Sequence, residues 1–264
     1  MRALSLPGCG CRGAFQFAVL ARLAADGERF DLVGGASSGS LSGAAWVAGV
    51  SIDGPAIYRT LASTPVLSAR WLMSEKSPFG MSRIVREALE RFIPESRIHA
   101  SSAELIVSTT RLGAFCRKLL RDGPLPGSTG RVVHSSRERR DFHDILLASC
   151  TFPPFYARLY RIDGEAHFDG GVTDNTLIDE LVARGATHIT VVTPHAAGTV
   201  YSRLFEPIAP PAVPRHVQLR VIHPERPLRL KSFDFDPERL DEALSMPHRI
   251  QELGSPSATT CSSG

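Results

Sequence analysis

The sequence lacks the features that mark disulfide-bonded, zinc-binding and membrane-spanning proteins. Its five cysteines are odd in number and irregularly spaced: Cys9, Cys11, Cys116, Cys150 and Cys261. This pattern argues against a disulfide framework or a metal site and favours a reducing compartment. No run of about 18 strongly apolar residues occurs, and the opening MRALSLPGCG lacks the apolar core of a signal peptide. We therefore expect a cytoplasmic protein without a bound metal or a transmembrane segment, whose contact with a membrane, if it has one, is peripheral.

The chain also lacks a strong excess of charge of either sign. Its 30 Lys and Arg residues against 27 Asp and Glu residues give a net charge of +3. That is too little to predict nucleic-acid binding, although a local basic face can meet an anionic membrane surface. The 264 residues are 43% hydrophobic and 22% charged, values that support a sizeable core. We expect one domain over residues 1–253 and a disordered tail over residues 254–264.

Short apolar segments alternate with helical patterns along the chain. Strands are predicted over residues 2–6, 32–35, 104–112, 165–171, 187–194 and 216–224. Helices are predicted over residues 14–27, 38–50, 55–70, 77–92, 142–150 and 235–253. The basic stretch at 117–140 is predicted to be a loop or hairpin. This alternation predicts an α/β fold with a mostly parallel sheet covered by helices on both faces.

Residues 35–39 read GASSG between a predicted strand and a predicted helix. A nucleophile elbow needs small residues two places either side of its serine, because larger side chains collide at this strained turn. Gly35 and Gly39 satisfy that demand for Ser37, whereas the neighbours of Ser38 do not. One alternative is a closely packed helix start. Another is a membrane helix with GxxxG spacing, which the high Gly and Ser content disfavours.

Residues 8–13 read GCGCRG and form another glycine-rich turn between a strand and a helix. The pattern G-x-G-x-x-G suits a dinucleotide-binding turn, which requires an acidic residue at the far end of the second strand. Asp31 lies at the beginning of that strand instead. The other use of such a turn is a row of backbone N–H groups facing a negative charge. Beside Ser37, that row would form an oxyanion hole.

Residues 167–171 read HFDGG and place Asp169 at the end of a predicted strand. A carboxylate followed by Gly170 and Gly171 can lie close to another backbone. Taken alone, however, an Asp-Gly pair is more often a surface turn. This segment indicates a catalytic role only in combination with the segments at 8–13 and 35–39.

The segments GCGCRG, GASSG and DGG, in this order, resemble the patatin-like phospholipase family. Weaker similarity extends through ASCTFPPFY at 148–156, DNTL at 174–177 and FDFDPERLDEAL at 233–244, so the resemblance covers most of the chain. It implies a patatin-type three-layer α/β/α fold with a mostly parallel central sheet. It also implies a lipid acyl hydrolase that cleaves a lipid ester with a Ser–Asp dyad and needs no cofactor.

The resemblance assigns a role to each motif. Ser37 would be the nucleophile and Asp169 its general base. The oxyanion would be bound by the backbone N–H groups of Cys9, Gly10 and Cys11, with Arg12 nearby. The supporting motif glycines are Gly8, Gly13, Gly35, Gly39, Gly170 and Gly171. The chain departs from the family at Cys9, where glycine is usual and a positive φ would strain the loop. DNTL also lacks a proline often found there.

Other functions remain open from the residues alone. A Ser-His-Asp α/β-hydrolase would take its base from His167, His195 or His223, but one βα unit before position 37 is too few for that fold. A non-catalytic module could bind a lipid or a dinucleotide. Residues 69–81 and 199–211 are rich in apolar and aromatic side chains and predict a lid or an interfacial contact, with ordinary core packing as the alternative.

Overall fold

The computed structural model describes residues 1–122, 129–156, 158–203, 206–208 and 213–253. Its strands are β1 (Arg2–Leu6), β2 (Leu32–Gly35), β3 (Glu104–Arg111), β4 (Arg131–Ser135), β5 (Tyr160–Ile162), β6 (Glu165–Phe168), β7 (His188–Val192), β8 (Val200–Arg203), β9 (Glu206–Ile208), β10 (Gln218–Pro224) and β11 (His248–Leu253). Its helices are α1 (Gly13–Ala25), α2 (Ser38–Val47), α3 (Gly54–Ala62), α4 (Trp71–Glu75), α5 (Met81–Phe92), α6 (Glu95–Ala100), α7 (Leu112–Asp122), α8 (Phe142–Cys150), α9 (Ile178–Ala183) and α10 (Pro237–Ser245).

The central sheet has the strand order β11-β10-β7-β1-β2-β3-β6-β5, and β4 also pairs with β3. The five strands from β10 to β3 run parallel, with antiparallel strands at both sides. The central strands β1 and β2 are short runs buried on both faces apart from Arg2, as parallel strands covered by helices must be. The predicted α/β class and mostly parallel sheet are confirmed.

Side chains of β3 alternate between two cores, one on each face of the sheet. Leu105 and Val107 pack in a core with residues of α1, α2, α5 and α8, while Ile106 packs with residues of α9 and β10 on the other face. This period-two alternation follows from strand geometry. Helices therefore cover both faces, and the three-layer α/β/α architecture is confirmed.

The positions of β2 and β6 along β3 determine where the site forms. Val107 pairs with both β2 and β4, so these two strands flank opposite sides of β3. Thr110 pairs with β4 and also with Phe168 of β6. Strand β6 therefore continues along the side of β3 that β2 leaves after Gly35. This arrangement brings the residue after β6 beside the turn after β2.

Several predicted elements are wrong in extent or type. The last predicted helix ends at Ser245, and β11 follows as an antiparallel partner of β10, because Pro247 cannot continue a helix. Residues 117–140 contain the end of α7 and all of β4, and residues 63–70 are not helical. The predicted tail at 254–264 lies outside the described residues, as do 204–205 and 209–211 of the segment 199–211.

Candidate active site

Ser37 occupies a strained turn between β2 and α2. Its φ of 51° and ψ of −132° are a conformation that side-chain-bearing residues rarely adopt. The turn is stabilised by its neighbours, because the Ser37 N–H donates to Ser149 Oγ at 2.9 Å and Ser40 Oγ donates to the Ser37 carbonyl at 2.6 Å. Ser149 is fully buried on α8. These contacts fix the direction in which the Ser37 hydroxyl points.

The glycines on either side of Ser37 allow the backbones to approach closely. A Cβ at Gly39 would lie 1.9 Å from the Leu6 carbonyl oxygen, and one at Gly35 would lie 2.6 Å from the Gly39 carbonyl oxygen. Neither position can hold a larger residue without moving the backbone. The steric reason for the G-x-S-x-G spacing is therefore visible in the contacts of this turn.

Asp169 follows β6 and meets Ser37 directly. Ser37 Oγ donates to Asp169 Oδ2 at 2.6 Å, across 132 residues of sequence, and the Gly171 N–H donates to Asp169 Oδ1 at 2.8 Å. Gly170 is required by space, since a Cβ there would lie 2.0 Å from the Ser108 carbonyl oxygen. The sequence-predicted pair is thus brought together by two turns at neighbouring strand ends.

The Asp169 carboxyl group is 3% exposed. Burial raises its pKa from 3.8 to about 7, although the hydrogen bonds from Ser37 and Gly171 favour the ionised form and lower it. Near neutral pH the group can therefore both accept and release a proton. Such a pKa is typical of a general base that works near pH 7.

The turn formed by residues 8–13 lies against Ser37. A Cβ at Gly8 would lie 2.6 Å from Ser37 Cβ. The positive φ of 60° occurs at Gly10, while Cys9 has an extended φ of −156°. Cys9 therefore stands in place of the usual glycine without left-handed strain. The next helix, α1, begins at Gly13.

Backbone N–H groups near Ser37 differ in whether they are already bonded. The Cys9 N–H donates to Ser38 Oγ at 3.0 Å, and the Cys11 N–H donates to the Ser232 carbonyl at 2.8 Å. The N–H groups of Gly10 and Ser38 have no acceptor among the described residues, and both residues line the cavity at the site. Gly10 and Ser38 therefore offer the free donors. The sequence interpretation did not consider the Ser38 N–H, although it lies at the start of α2 next to the nucleophile.

Asn175 connects the separate turns of the site. Its Oδ1 accepts from the Gly8 N–H at 2.8 Å, and its Nδ2 donates to the carbonyls of Gly8 at 3.3 Å and Tyr201 at 3.1 Å. The Asn175 residue is 2% exposed. The sequence pointed to Asn175 only through the DNTL similarity, because Gly8 is 167 residues away and Tyr201 is 26 residues away.

The histidines considered as alternative bases have other partners, and His223 Nδ1 lies 3.0 Å from the Pro224 carbonyl oxygen. His167 Nδ1 hydrogen-bonds to Thr109 Oγ1 at 2.8 Å, and that hydroxyl also bonds to His134 at 2.8 Å. His195 lines the cavity beside Arg12, 3.4 Å from its Nη1, and burial, assisted by this cation, lowers the His195 pKa to about 4. Within the described ranges, no histidine hydrogen-bonds to Ser37 or Asp169.

A cavity of about 390 Å³ opens onto Ser37 and Asp169. One side is formed by apolar residues of α2, α3 and α5: Leu41, Leu61, Ala62, Met81, Ile84 and Val85. Aromatic residues form the other side: Phe152, Phe155, Tyr156, Phe233 and Phe235. An elongated apolar group can therefore lie next to the Ser37 hydroxyl. The described side chains contain no cluster of three potential metal ligands.

A sequence profile described as patatin-like phospholipase matches residues 4–182. The chain belongs to the patatin-like phospholipase family. Among solved structures, it is similar to the crystal structure of VipD from Legionella pneumophila, with 13% identity and a TM-score of 0.45. That similarity covers 74% of this chain and 50% of the VipD chain. A comparison with curated proteins finds no significant match.

The matched part of this patatin-like phospholipase contains the Ser37–Asp169 pair, the turn at 8–13 and Asn175. The cavity also includes residues beyond it, namely His195, Tyr201, Ser232, Phe233, Phe235 and Leu240. Across the described parts of the chain, no helix combines the length and apolarity needed to cross a membrane.

Proposed function

We propose that the chain is a lipid acyl hydrolase that cleaves carboxylic esters through a Ser37–Asp169 dyad and an acyl-enzyme intermediate. The observation that carries this proposal is the 2.6 Å hydrogen bond from Ser37 Oγ to the buried Asp169 carboxylate, in the lining of a mainly apolar cavity. Nucleophile and base within hydrogen-bond reach are the arrangement that covalent acyl transfer requires.

In the first half-reaction, Ser37 Oγ attacks the ester carbonyl carbon while Asp169 Oδ2 takes the hydroxyl proton. The carbonyl oxygen becomes an oxyanion, which the free N–H groups of Gly10 and Ser38 stabilise. The intermediate collapses, the bond to the alcohol oxygen breaks, and Asp169 gives its proton to the departing alcohol. In the second half-reaction, Asp169 takes a proton from water, the resulting hydroxide attacks the acyl group, and Ser37 recovers its proton as the free acid leaves.

The environment of Asp169 suits both halves of this cycle. A carboxyl group with a pKa of about 7 is a stronger base than an exposed aspartate and still ionises near neutral pH. It binds the serine proton strongly enough to assist attack and weakly enough to release it to the leaving group. The proposed chemistry uses only side chains and backbone groups of the chain.

The cavity supports an ester with an apolar acyl chain as the substrate. Its walls along α3 and α5 carry side chains such as Leu61, Ile84 and Val85 rather than charges. Burial of each methylene group in such a site contributes about 0.8 kcal/mol. Hydrolysis should therefore be faster for medium acyl chains than for acetate esters.

The test is release of p-nitrophenol from short and medium acyl esters by the wild type, Ser37→Ala and Asp169→Asn. Each substitution should lower kcat/KM by about 10⁴-fold, because the dyad acts as a unit. Ser63→Ala, at an exposed serine, serves as the matched control and should retain full activity. Circular dichroism confirms folding of every variant.

Retained activity in a folded Ser37→Ala variant would show that the turn carries no nucleophile. A folded wild type that binds the esters without turnover would support a lipid-binding module in place of an enzyme.

A further inference from the structure

Exposed apolar side chains are concentrated around the mouth of the Ser37 cavity. Among the described residues, six of nine exposed large apolar side chains lie in the segments 67–73, 159 and 233–235. They are Leu67, Leu72, Met73, Leu159, Phe233 and Phe235, and we call them the rim. Phe233 and Phe235 themselves line the cavity and are 50% and 36% exposed. These two rings therefore connect the rim to the solvent-exposed part of the cavity wall.

A row of aromatic contacts joins the segments of the rim. Leu67 forms a β-bridge with Phe79, whose ring lies 5.5 Å from that of Phe155. The Phe155 ring stacks on Phe233 with centroids 4.5 Å apart. Val66, next to Leu67, lines the cavity. These contacts join the Leu67 segment to the Phe233 segment.

Helix α4 presents its apolar side chains to solvent because Trp71 anchors it from below. Trp71 is 6% exposed, and its Nε1 donates to the Pro65 carbonyl at 2.9 Å. Arg158 Nη2 binds the Ser74 carbonyl at 2.9 Å. Met73 is left 94% exposed and Leu72 52% exposed. Of the predicted interfacial segment 69–81, Trp71 is thus a core residue, while Leu72 and Met73 are free to contact another surface.

Once ion pairs are considered, the charges flanking the rim carry a small positive excess, because three unpaired cations stand against Asp236 and Glu238, which form no ion pair among the described residues. Glu75 is paired with Arg158 at 3.3 Å, and Asp234 with Arg239 at 2.9 Å. The exposed cations Arg70, Lys76 and Lys231 form no ion pair with any carboxylate in the described ranges. A small positive excess beside an apolar patch is complementary to an anionic lipid surface.

We propose that the rim docks onto an anionic lipid bilayer, with Leu72, Met73 and Phe233 inserted at the level of the headgroups. Insertion removes exposed apolar area from water, while the free cations meet anionic headgroups. The cavity mouth then faces the bilayer, and a lipid acyl chain reaches Ser37 without crossing water. The inference rests on the proposed lipid hydrolase function for its purpose, but its test does not depend on turnover.

The test measures sedimentation of Ser37→Ala protein, which leaves the lipid intact, with two kinds of vesicle. One is phosphatidylcholine alone and the other is equal parts phosphatidylcholine and phosphatidylglycerol. We expect stronger binding to the anionic vesicles. Adding Leu72→Glu and Met73→Glu should weaken that binding by about tenfold or more, since two apolar contacts are lost and two negative charges gained. Lys76→Gln with Lys231→Gln should reduce only the preference for anionic vesicles.

Ile52→Glu is the matched control, because Ile52 is 64% exposed and lies at the opposite end of the sheet. It should leave vesicle binding unchanged. Equal binding by the Leu72→Glu/Met73→Glu and Ile52→Glu proteins, or no vesicle binding at all, would overturn the proposal. A dimer in light scattering that Leu72→Glu/Met73→Glu abolishes would assign the rim to a second copy of the chain.

Turnover of a soluble short-chain ester by the Leu72→Glu/Met73→Glu variant, with Ser37 intact, separates the two proposals. If this variant hydrolyses the ester at the wild-type rate but no longer binds vesicles, the result supports the docking surface. Absence of ester turnover in the wild type together with rim-dependent vesicle binding would contradict the proposed function alone.

Discussion

Two cavities of similar volume lie at opposite ends of the parallel strands. The one at the carboxyl ends, about 390 Å³, contains Ser37 and Asp169. The other, about 330 Å³, lies at the amino ends of β2 and β3 and is lined by residues such as Asp31, Trp46 and Ser51. Both contain a serine and a carboxylate. Only in the first does a serine hydroxyl bond to a buried carboxylate, so the pairing rather than the space distinguishes the site.

The glycines of the two cavities have different structural roles. At the amino-end cavity, Gly27 and Gly49 have φ values of +75° and +73°, and a Cβ at either would meet nothing within 4 Å. At the carboxyl-end cavity, Gly39 and Gly170 are needed because another backbone lies against them. Gly27 and Gly49 allow a positive φ that other residues rarely adopt. Gly39 and Gly170 allow the backbones of two distant segments to lie in contact.

The largest expected difference between the cavities is in the effect of a glycine-to-alanine substitution on stability and activity. Gly39→Ala should destabilise the fold by about 3 kcal/mol, because the Leu6 backbone cannot yield. It should also lower kcat/KM by about 100-fold through displacement of Ser37. Gly49→Ala should destabilise by only about 1 kcal/mol, the strain of a left-handed alanine, with unchanged activity. Urea unfolding and ester turnover measure both effects, and equal losses in the two variants would contradict the distinction.

From the raised pKa of Asp169 we predict that a rise in pH increases activity but decreases the stability of the fold. Because the base must be ionised, kcat/KM should fall by about tenfold per pH unit below pH 7 and level off above it. Its folded pKa of about 7 lies above the value of 3.8 for an unperturbed aspartate. Between these values the folded state holds a proton that the unfolded state has lost, so its contribution makes stability decrease as pH rises.

Asp169→Asn removes that contribution and should stabilise the protein at pH 8 by about 4 kcal/mol relative to the wild type, since the folded and unfolded pKa values lie about three pH units apart and each pH unit corresponds to about 1.4 kcal/mol. At pH 4 the two proteins should be nearly equal in stability. Asp31→Asn, at the other cavity, is the matched control for activity and should leave turnover intact. Urea unfolding at both pH values measures the difference, and a difference independent of pH would be inconsistent with a raised Asp169 pKa.

A smaller effect is expected from two buried serines, one that accepts from the Ser37 N–H and one that lines the amino-end cavity. Ser149→Ala leaves the Ser37 N–H without an acceptor and should lower kcat by roughly tenfold while KM changes little. Ser51 Oγ has no hydrogen-bond partner in the structure, so Ser51→Ala should leave both kcat and the urea midpoint unchanged or raise the midpoint slightly. A parallel decline in kcat for both variants would show that Ser149 acts only through general packing.

Local sequence patterns predicted the parts of the molecule that depend on neighbouring residues. The apolar runs of β1 and β2 and the GASSG spacing placed Ser37 on its turn, because strand, turn and glycine clearance all occur within a few residues. The last helix was wrongly extended over β11, although Pro247 and the alternation in HRIQEL are signals of a new strand.

Contacts between distant segments explain what the sequence could not predict. Ser149 reaches Ser37 across 112 residues, and Asn175 reaches Gly8 across 167. Which N–H groups remain free near Ser37 likewise depends on Ser232, which takes the Cys11 N–H. The motif at 8–13 suggested three donors in a row, but a distant carbonyl decides which of them is available.

The contact of Ser232 with the turn at 8–13 lies between two parts of the chain. One is the part that matches the family profile, and the other is the later segment that contributes to the cavity wall. Residues 4–182 contain the proposed Ser37–Asp169 dyad, whereas Ser232, Phe233 and Phe235 line the cavity from outside the family match. If the proposed function holds, exchange of residues 228–236 between related proteins should change which esters are accepted without changing the dyad. Such an exchange must keep the backbone path of residues 230–232, because the Ser232 carbonyl accepts from the Cys11 N–H at 2.8 Å and the Leu230 carbonyl accepts from Arg12 Nε at 3.2 Å.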